Sequence, residues 1–168
     1  MAAEQGFFCT EGFQFLLEAA LSEEQTPPAN FYVGLVTDAE VQYADNLAAL
    51  TELSGNNYSA QAVASNNTDL TSASNGVSGW KMTTKEVTFT ASGGAWSTAR
   101  WAILKTSSDS SGKLLGAMRI NGTTGWAIAD GQHIDIAMIL SLAHPAAASV
   151  STSPSSSPSA SPSSSSSA

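Results

Sequence analysis

The sequence predicts a mainly β fold: a single antiparallel β-sandwich or flattened barrel with one N-terminal amphipathic helix and a disordered or extended C-terminal tail. Three observations predict it. An apolar stripe at helical spacing stands near the N-terminus, and short apolar or alternating segments separated by Gly, Asn, Ser and Asp fill the middle. Residues 146–168 are Ala, Ser and Pro apart from Val150 and Thr152. A chain of 168 residues has room for one domain, placed at 1–145 with its helix over 11–24, followed by the tail at 146–168.

Phe13, Leu16, Leu17, Ala20 and Leu21 recur at the spacing of one helix face, with Thr10 available as a cap and Glu11 near the positive helix end. Pro27-Pro28 bars continuation and turns the chain extended. Residues 31–37 are aromatic and β-branched and read as a buried strand, whereas residues 39–53 suit a short helix or a structured loop. Residues 58–63 form a further strand candidate, and residues 81–90 read as one strand, alternating at Val87 and Phe89. Gly93-Gly94 turns the chain before Trp96. The nearly continuous apolar run 100–105 is joined by the loop 107–112 to a strand at 114–120. The clearest alternation is Ile134, Ile136, Met138, Leu140 and Leu142, which predicts one final strand over 133–142. After Val150 no large apolar group remains to offset the entropy of ordering.

Charged residues make up 12% of the chain, against roughly 25% in an average soluble domain. Ser, Thr, Asn and Gly must therefore cover the surface, which suits an assembly component better than a free metabolic enzyme. Six Lys and Arg against fourteen Asp and Glu give a formal charge of −8, which argues against a nucleic-acid partner. All six bases lie between Lys81 and Arg119, while the first 80 residues carry acids and no base. This asymmetry raises the expectation that the acidic part and the basic middle meet across subunit contacts. No run approaches the ~18 apolar residues of a membrane span, and Met1 to Gln5 lacks the positive region of a signal peptide, so a chain made and kept in the cytoplasm is expected.

Residues with catalytic chemistry are sparse. His133 and His144 stand in no metal-ligand spacing, and the single Cys9, in an apolar run, reads as a small buried hydrophobe. Asp38, Asp45, Asp69, Asp109 and Asp130 fall in or near loops without forming a calcium-loop pattern. We therefore expect no catalytic, cofactor-binding or metal-binding residue. Trp80, Trp96, Trp101 and Trp126, with Phe7 and Phe8, are the candidates for subunit or partner contact; exposed indoles would alternatively offer a sugar-binding platform.

The order of motifs resembles a family of small tailed-bacteriophage virion structural proteins. The resemblance is carried by Phe31 to Asp38, Thr51 to Val63, Val87 to Ala91, Trp96, Ala99 to Leu104 and Gly112 to Leu115, and spans about residues 10 to 142. Asn56-Asn57 stand where the family usually has glycines, and Gln61 lies close to a common arginine. Asn tolerates the left-handed dihedrals of such a turn. The resemblance implies a non-enzymatic virion protein. Its leading expectation is a capsid decoration or cement protein, a homotrimer binding the major capsid protein. The alternative is a tail-fibre or baseplate component that attaches to host-surface glycans.

Overall fold

The computed structural model describes residues 6–75 and 79–143. The expected tail at 146–168, with His144, lies outside them. Ten strands form: β1 Gly6–Phe8, β2 Asn30–Val36, β3 Gln61–Ala64, β4 Leu70–Ser74, β5 Gly79–Thr84, β6 Val87–Thr90, β7 Trp101–Lys105, β8 Leu114–Arg119, β9 His133–Ile136 and β10 Ile139–Ala143. Helix α1, Thr10–Leu17, runs on into a π-helical turn, Glu18–Ser22. Residues 38–50 are a loop with one 3-10 turn, Leu47–Ala49.

Eight strands make one sheet in the order β3-β2-β7-β8-β1-β10-β5-β4, and β6 and β9 make a second. The two edge strands of the large sheet, β3 and β4, are consecutive in the chain and joined by residues 65–69. Laid flat, eight strands would hold their edges roughly 34 Å apart. The connection reaches only about 21 Å. The sheet must therefore curl, and Asp69 ties its edges together: its Oδ2 accepts from the backbone N–H of Ala64 at 3.0 Å and pairs with Lys85 Nζ at 2.5 Å.

The curled sheet encloses the larger core, to which Val33, Leu35, Leu104, Leu115, Phe89 and Leu140 contribute. On the convex side of β2, β7 and β8 a second layer of Val36, Trp101, Ile103, Leu114 and Ala117 is roofed by Val41 and Leu47 of the 38–50 loop. All five residues of β7 are buried. This explains a strand that reads as nearly continuous apolar sequence, since both of its faces are covered.

Two expected strands prove to be two each. Residues 133–142 divide into β9 in the small sheet and β10 in the large one, and residues 81–90 divide into β5 and β6 in the same way. The chains cross between sheets side by side. At that corner Thr84 N–H donates to Met138 O at 3.0 Å, and Met138 N–H donates to Thr84 Oγ1 at 2.9 Å. Alternation runs on unbroken through the corner because the inward face of both sheets is the same core. Strands β1 and β4 were not expected. The sequence Leu70-Thr71-Ser72-Ala73-Ser74 carries one large apolar residue and becomes a strand through its pairing with β5.

Candidate interaction surface

The six expected contact residues separate into core and surface. Phe8, Trp96 and Trp101 are buried within the chain. Trp96 Nε1–H donates to Asn56 O at 3.0 Å, and its ring meets Tyr58 edge-on. Trp101 lies in the outer core layer, with the Arg119 guanidinium 4.7 Å above its ring and the half-buried Phe7 against its edge. Trp126 is half-buried, bridged to Ala99. Only Trp80 of the four indoles is exposed, at 61%. A platform of two exposed coplanar indoles is therefore not built by a single chain.

Helix α1 departs from the expected orientation. Its buried residues are Gly12 and Phe15, while Phe13, Leu16, Leu17 and, beyond it, Leu21 are exposed. Of the stripe that reads as a core face, Leu17 and Leu21 point to solvent, while Leu16 and Ala20 line a cavity beside the core and Phe13 lies against Phe8. The physical reason is Gly12: a Cβ there would collide with the backbone of Leu115, so the glycine edge lets the helix settle onto β8 along the Gly12–Phe15 side. Cys9, not Thr10, occupies the N-cap, and no side chain caps the helix. Glu11 stands in the first turn, but its carboxylate ties the helix to β8, with Oε2 accepting from Leu114 N–H at 2.8 Å and Oε1 3.3 Å from Lys113 Nζ.

The exposed helix face adjoins an exposed stretch of sheet. Trp80 pairs with Leu142, one step beyond the pair Met82 and Leu140 on the same concave face. Phe7 pairs with Ser141 in parallel, so the register carries Phe8 beside Leu142. The ring of Phe8 is 5.8 Å from that of Phe13. Trp80, Leu142, Phe8 and Phe13 thus form a continuous apolar row from β5 to the helix. Phe8 also lines a cavity of about 330 Å³, together with Phe15, Leu16, Phe31, Leu70 and Met82 among others. Nearly all of its lining is apolar, so it offers shape and dryness and no acid-base chemistry.

The titratable groups of the interior serve the fold. The fully buried Lys105 uses its three ammonium protons on Glu52 Oε2 at 2.5 Å, Ser108 O at 3.2 Å and Asp109 O at 3.2 Å. Glu52 Oε1 accepts from Tyr58 Oη at 2.8 Å, and that oxygen accepts from Leu35 N–H at 2.7 Å. Burial first, then the Glu52 charge, holds the Tyr58 phenol protonated well above the usual range. Burial, with Asp45 and Glu11 behind it, pushes the Cys9 thiol up to about 12, so it is no nucleophile. Among the described residues no group of three or more His, Cys, Asp and Glu is placed to hold a metal ion.

Four of the six bases pair with acids inside the chain. Lys85 pairs with Asp69, Lys105 with Glu52, Lys113 with Glu11 and Arg119 with Glu40. Each joins a base of the middle to an acid of the first 70 residues within one chain. The Gly55-Asn56-Asn57 turn was legible from sequence: all three have positive φ, at 76°, 44° and 63°.

Comparison with known proteins adds one match. A family model described as Podophage GP4 fiber I protein gp80 matches residues 14–139, from within α1 to the first residue of β10. No curated protein and no solved structure matches the chain significantly.

Proposed function

The chain belongs to the podophage GP4 fiber I protein gp80 family, whose members are tailed-phage virion structural proteins, and on that premise we propose that it is a structural component of the tail fibre, acting by assembly and not by catalysis. The observation that carries this reading is the extent of the match. It covers strands β2 to β9 entire, so the likeness belongs to the β domain itself and not to an appended segment.

The architecture supports a load-transmitting module. Both faces of β7 are packed, and four ion pairs join distant parts of the same chain. With only 12% of the chain charged, Ser, Thr and Asn supply much of the outer surface, suited to many weak contacts with copies of itself and with other virion proteins. A single exposed indole, Trp80, gives little support to sugar stacking by one copy.

Capsid decoration is a second reading, in which the partner is the major capsid protein. It is favoured by β4, an uncharged edge strand whose residues Thr71 to Ser74 are all exposed and available for lattice contacts. Adding purified protein to separated heads and tails of particles that lack it discriminates the two. The fibre reading expects saturable binding to tails in few copies and none to heads. Saturable binding across the head lattice would establish decoration and overturn the fibre role.

A further inference from the structure

We propose that the cavity between helix α1 and the curled sheet is a binding site for a free, uncharged hydrocarbon molecule of about ten carbons. The chemistry of its walls sets the class. Ser65 is the one polar residue among those that line it, and no charged side chain joins them. A ligand that needs several hydrogen bonds, such as a sugar or a nucleotide, would lose them to water on entry and gain nothing back. Volume sets the size. An apolar cavity of ~150 Å³ stays dry and admits benzene, so about 330 Å³ admits on the order of ten carbon atoms. Charge sets the polar end. The segment that carries the lining residues Ala19 and Ala20 also holds Glu18, Glu23 and Glu24 and no base, so a carboxylate at the mouth would meet like charge and no partner. The Ser65 N–H already donates to Ala29 O at 2.9 Å, which leaves the hydroxyl for a ligand's single polar end.

The two walls differ in how firmly they are held. Phe31, Leu104 and Leu115 form the inner wall, each buried in a strand of the large sheet, β2, β7 and β8. The outer wall, Leu16, Ala19 and Ala20, follows Phe15, the last buried residue of α1. There the helix widens into the π-helical turn Glu18–Ser22, in which no residue is buried. Turns of this kind are rare and recur at functional sites. Moving this one costs little buried area and no sheet hydrogen bond, so a molecule reaches the inner wall without disturbing the β domain. Met82, on the strand side, is a flexible side chain that adapts to the shape of what enters. A second copy is a poorer occupant, because its helical segment would set Glu18, Glu23 and Glu24 against their equivalents.

The test is calorimetric titration of the full-length protein with nonanol and, separately, with sodium nonanoate, which has the same chain and a charged end. The proposal expects one nonanol bound per chain and nonanoate weaker by about tenfold or more, since no base offsets its charge. Two substitutions narrow the cavity from opposite walls, Ala19→Phe on the helix and Leu70→Trp on the strand, and each should weaken nonanol binding about tenfold or more. Leu17→Ser, at an exposed position outside the lining, should leave it unchanged. Near-ultraviolet circular dichroism verifies the native fold of each variant, and either narrowed variant suffices if the other does not fold. Absence of saturable nonanol binding would overturn the proposal, as would full affinity in a folded narrowed variant or nonanoate binding as tightly as nonanol. Neutral phosphatidylcholine vesicles should leave the protein unbound; cosedimentation lost in Ala19→Phe would move the site to a membrane lipid and overturn the free molecule as its ligand. Affinity that falls with protein concentration as a dimer appears in sedimentation would make a second copy the occupant and overturn it too. None of these outcomes depends on where in the particle the protein resides.

Discussion

Lys105 and Glu52 meet at 2.5 Å across the inner end of β7, the lysine wholly buried and the carboxylate partly so. Their pairing explains Gly34, because a Cβ at that position on β2 would lie 2.5 Å from Glu52 Oε1. A charged pair, a tyrosine and a glycine thus depend on one another over three segments of the chain. Substituting Glu52→Gln leaves the Lys105 ammonium buried beside carbonyls alone and is expected to destabilise the fold by about 3 kcal/mol. Chemical denaturation measures this, and adding Lys105→Met should recover part of the loss, as expected for directly coupled residues.

Tyr58 gives the same network a pH signature. Its pKa is raised in the folded state, so its contribution is complete below the ordinary tyrosine pKa and falls as pH rises from there toward the folded value. In an alkaline titration followed by phenolate absorbance, Tyr58 should ionise only as the protein unfolds. Tyr58→Phe should abolish that late phase and, by leaving Leu35 N–H without its partner, destabilise by about 1–3 kcal/mol.

At the acid end, Asp109 is held down at about 2, first by the Ser111 hydroxyl and then by the Ser111 N–H and Ser107 hydroxyl. Its depressed pKa means that the loop 107–111 keeps its full contribution above the ordinary aspartate pKa and loses it as pH falls toward 2. Asp109→Asn should make loop order, read by amide exchange of residues 107–111, insensitive to pH across that window.

Gly12→Ala offers a test with an unusual sign. Alanine favours a helix interior over glycine by about 1 kcal/mol, yet here the added methyl collides with the Leu115 backbone. The substitution should therefore destabilise, by about 1–3 kcal/mol in thermal or denaturant unfolding. Stabilisation would show that the helix does not sit on β8 as described.

Thr84→Val tests the corner between the sheets. The valine is nearly isosteric but removes the acceptor of Met138 N–H in a buried setting, with an expected loss of about 1–3 kcal/mol in denaturant unfolding. Thr71→Val on exposed β4 should change stability by less than about 0.5 kcal/mol.

Strands β2, β7 and β8 were legible because their residues are apolar wherever a core layer covers them, and β7 is covered on both faces. The loop 107–112 and the Asn56-Asn57 turn were legible from residue types that tolerate tight backbone. Two features were hidden. The side-chain period of Ile134 to Leu142 continues across Ala137 and Met138 while the pairing partner changes from β6 to β1 and β5, and period carries no information on partner. Helix α1 is apolar on more than one side, so the stripe of Phe13, Leu16, Leu17 and Leu21 outweighed the Gly12–Phe15 side that packs. Gly12 was the available signal, a small residue where a helix approaches a sheet. For the surface, tryptophan content could not separate exposed Trp80 from buried Trp96 and Trp101, since that difference is set by sheet order.

The most direct test of the central claim is immunogold electron microscopy of intact particles with antibodies raised against the folded domain. A fibre component predicts gold confined to the tail. Gold spread over the head surface would contradict the fibre role, and particles that contain none of the protein would contradict its being a virion component at all.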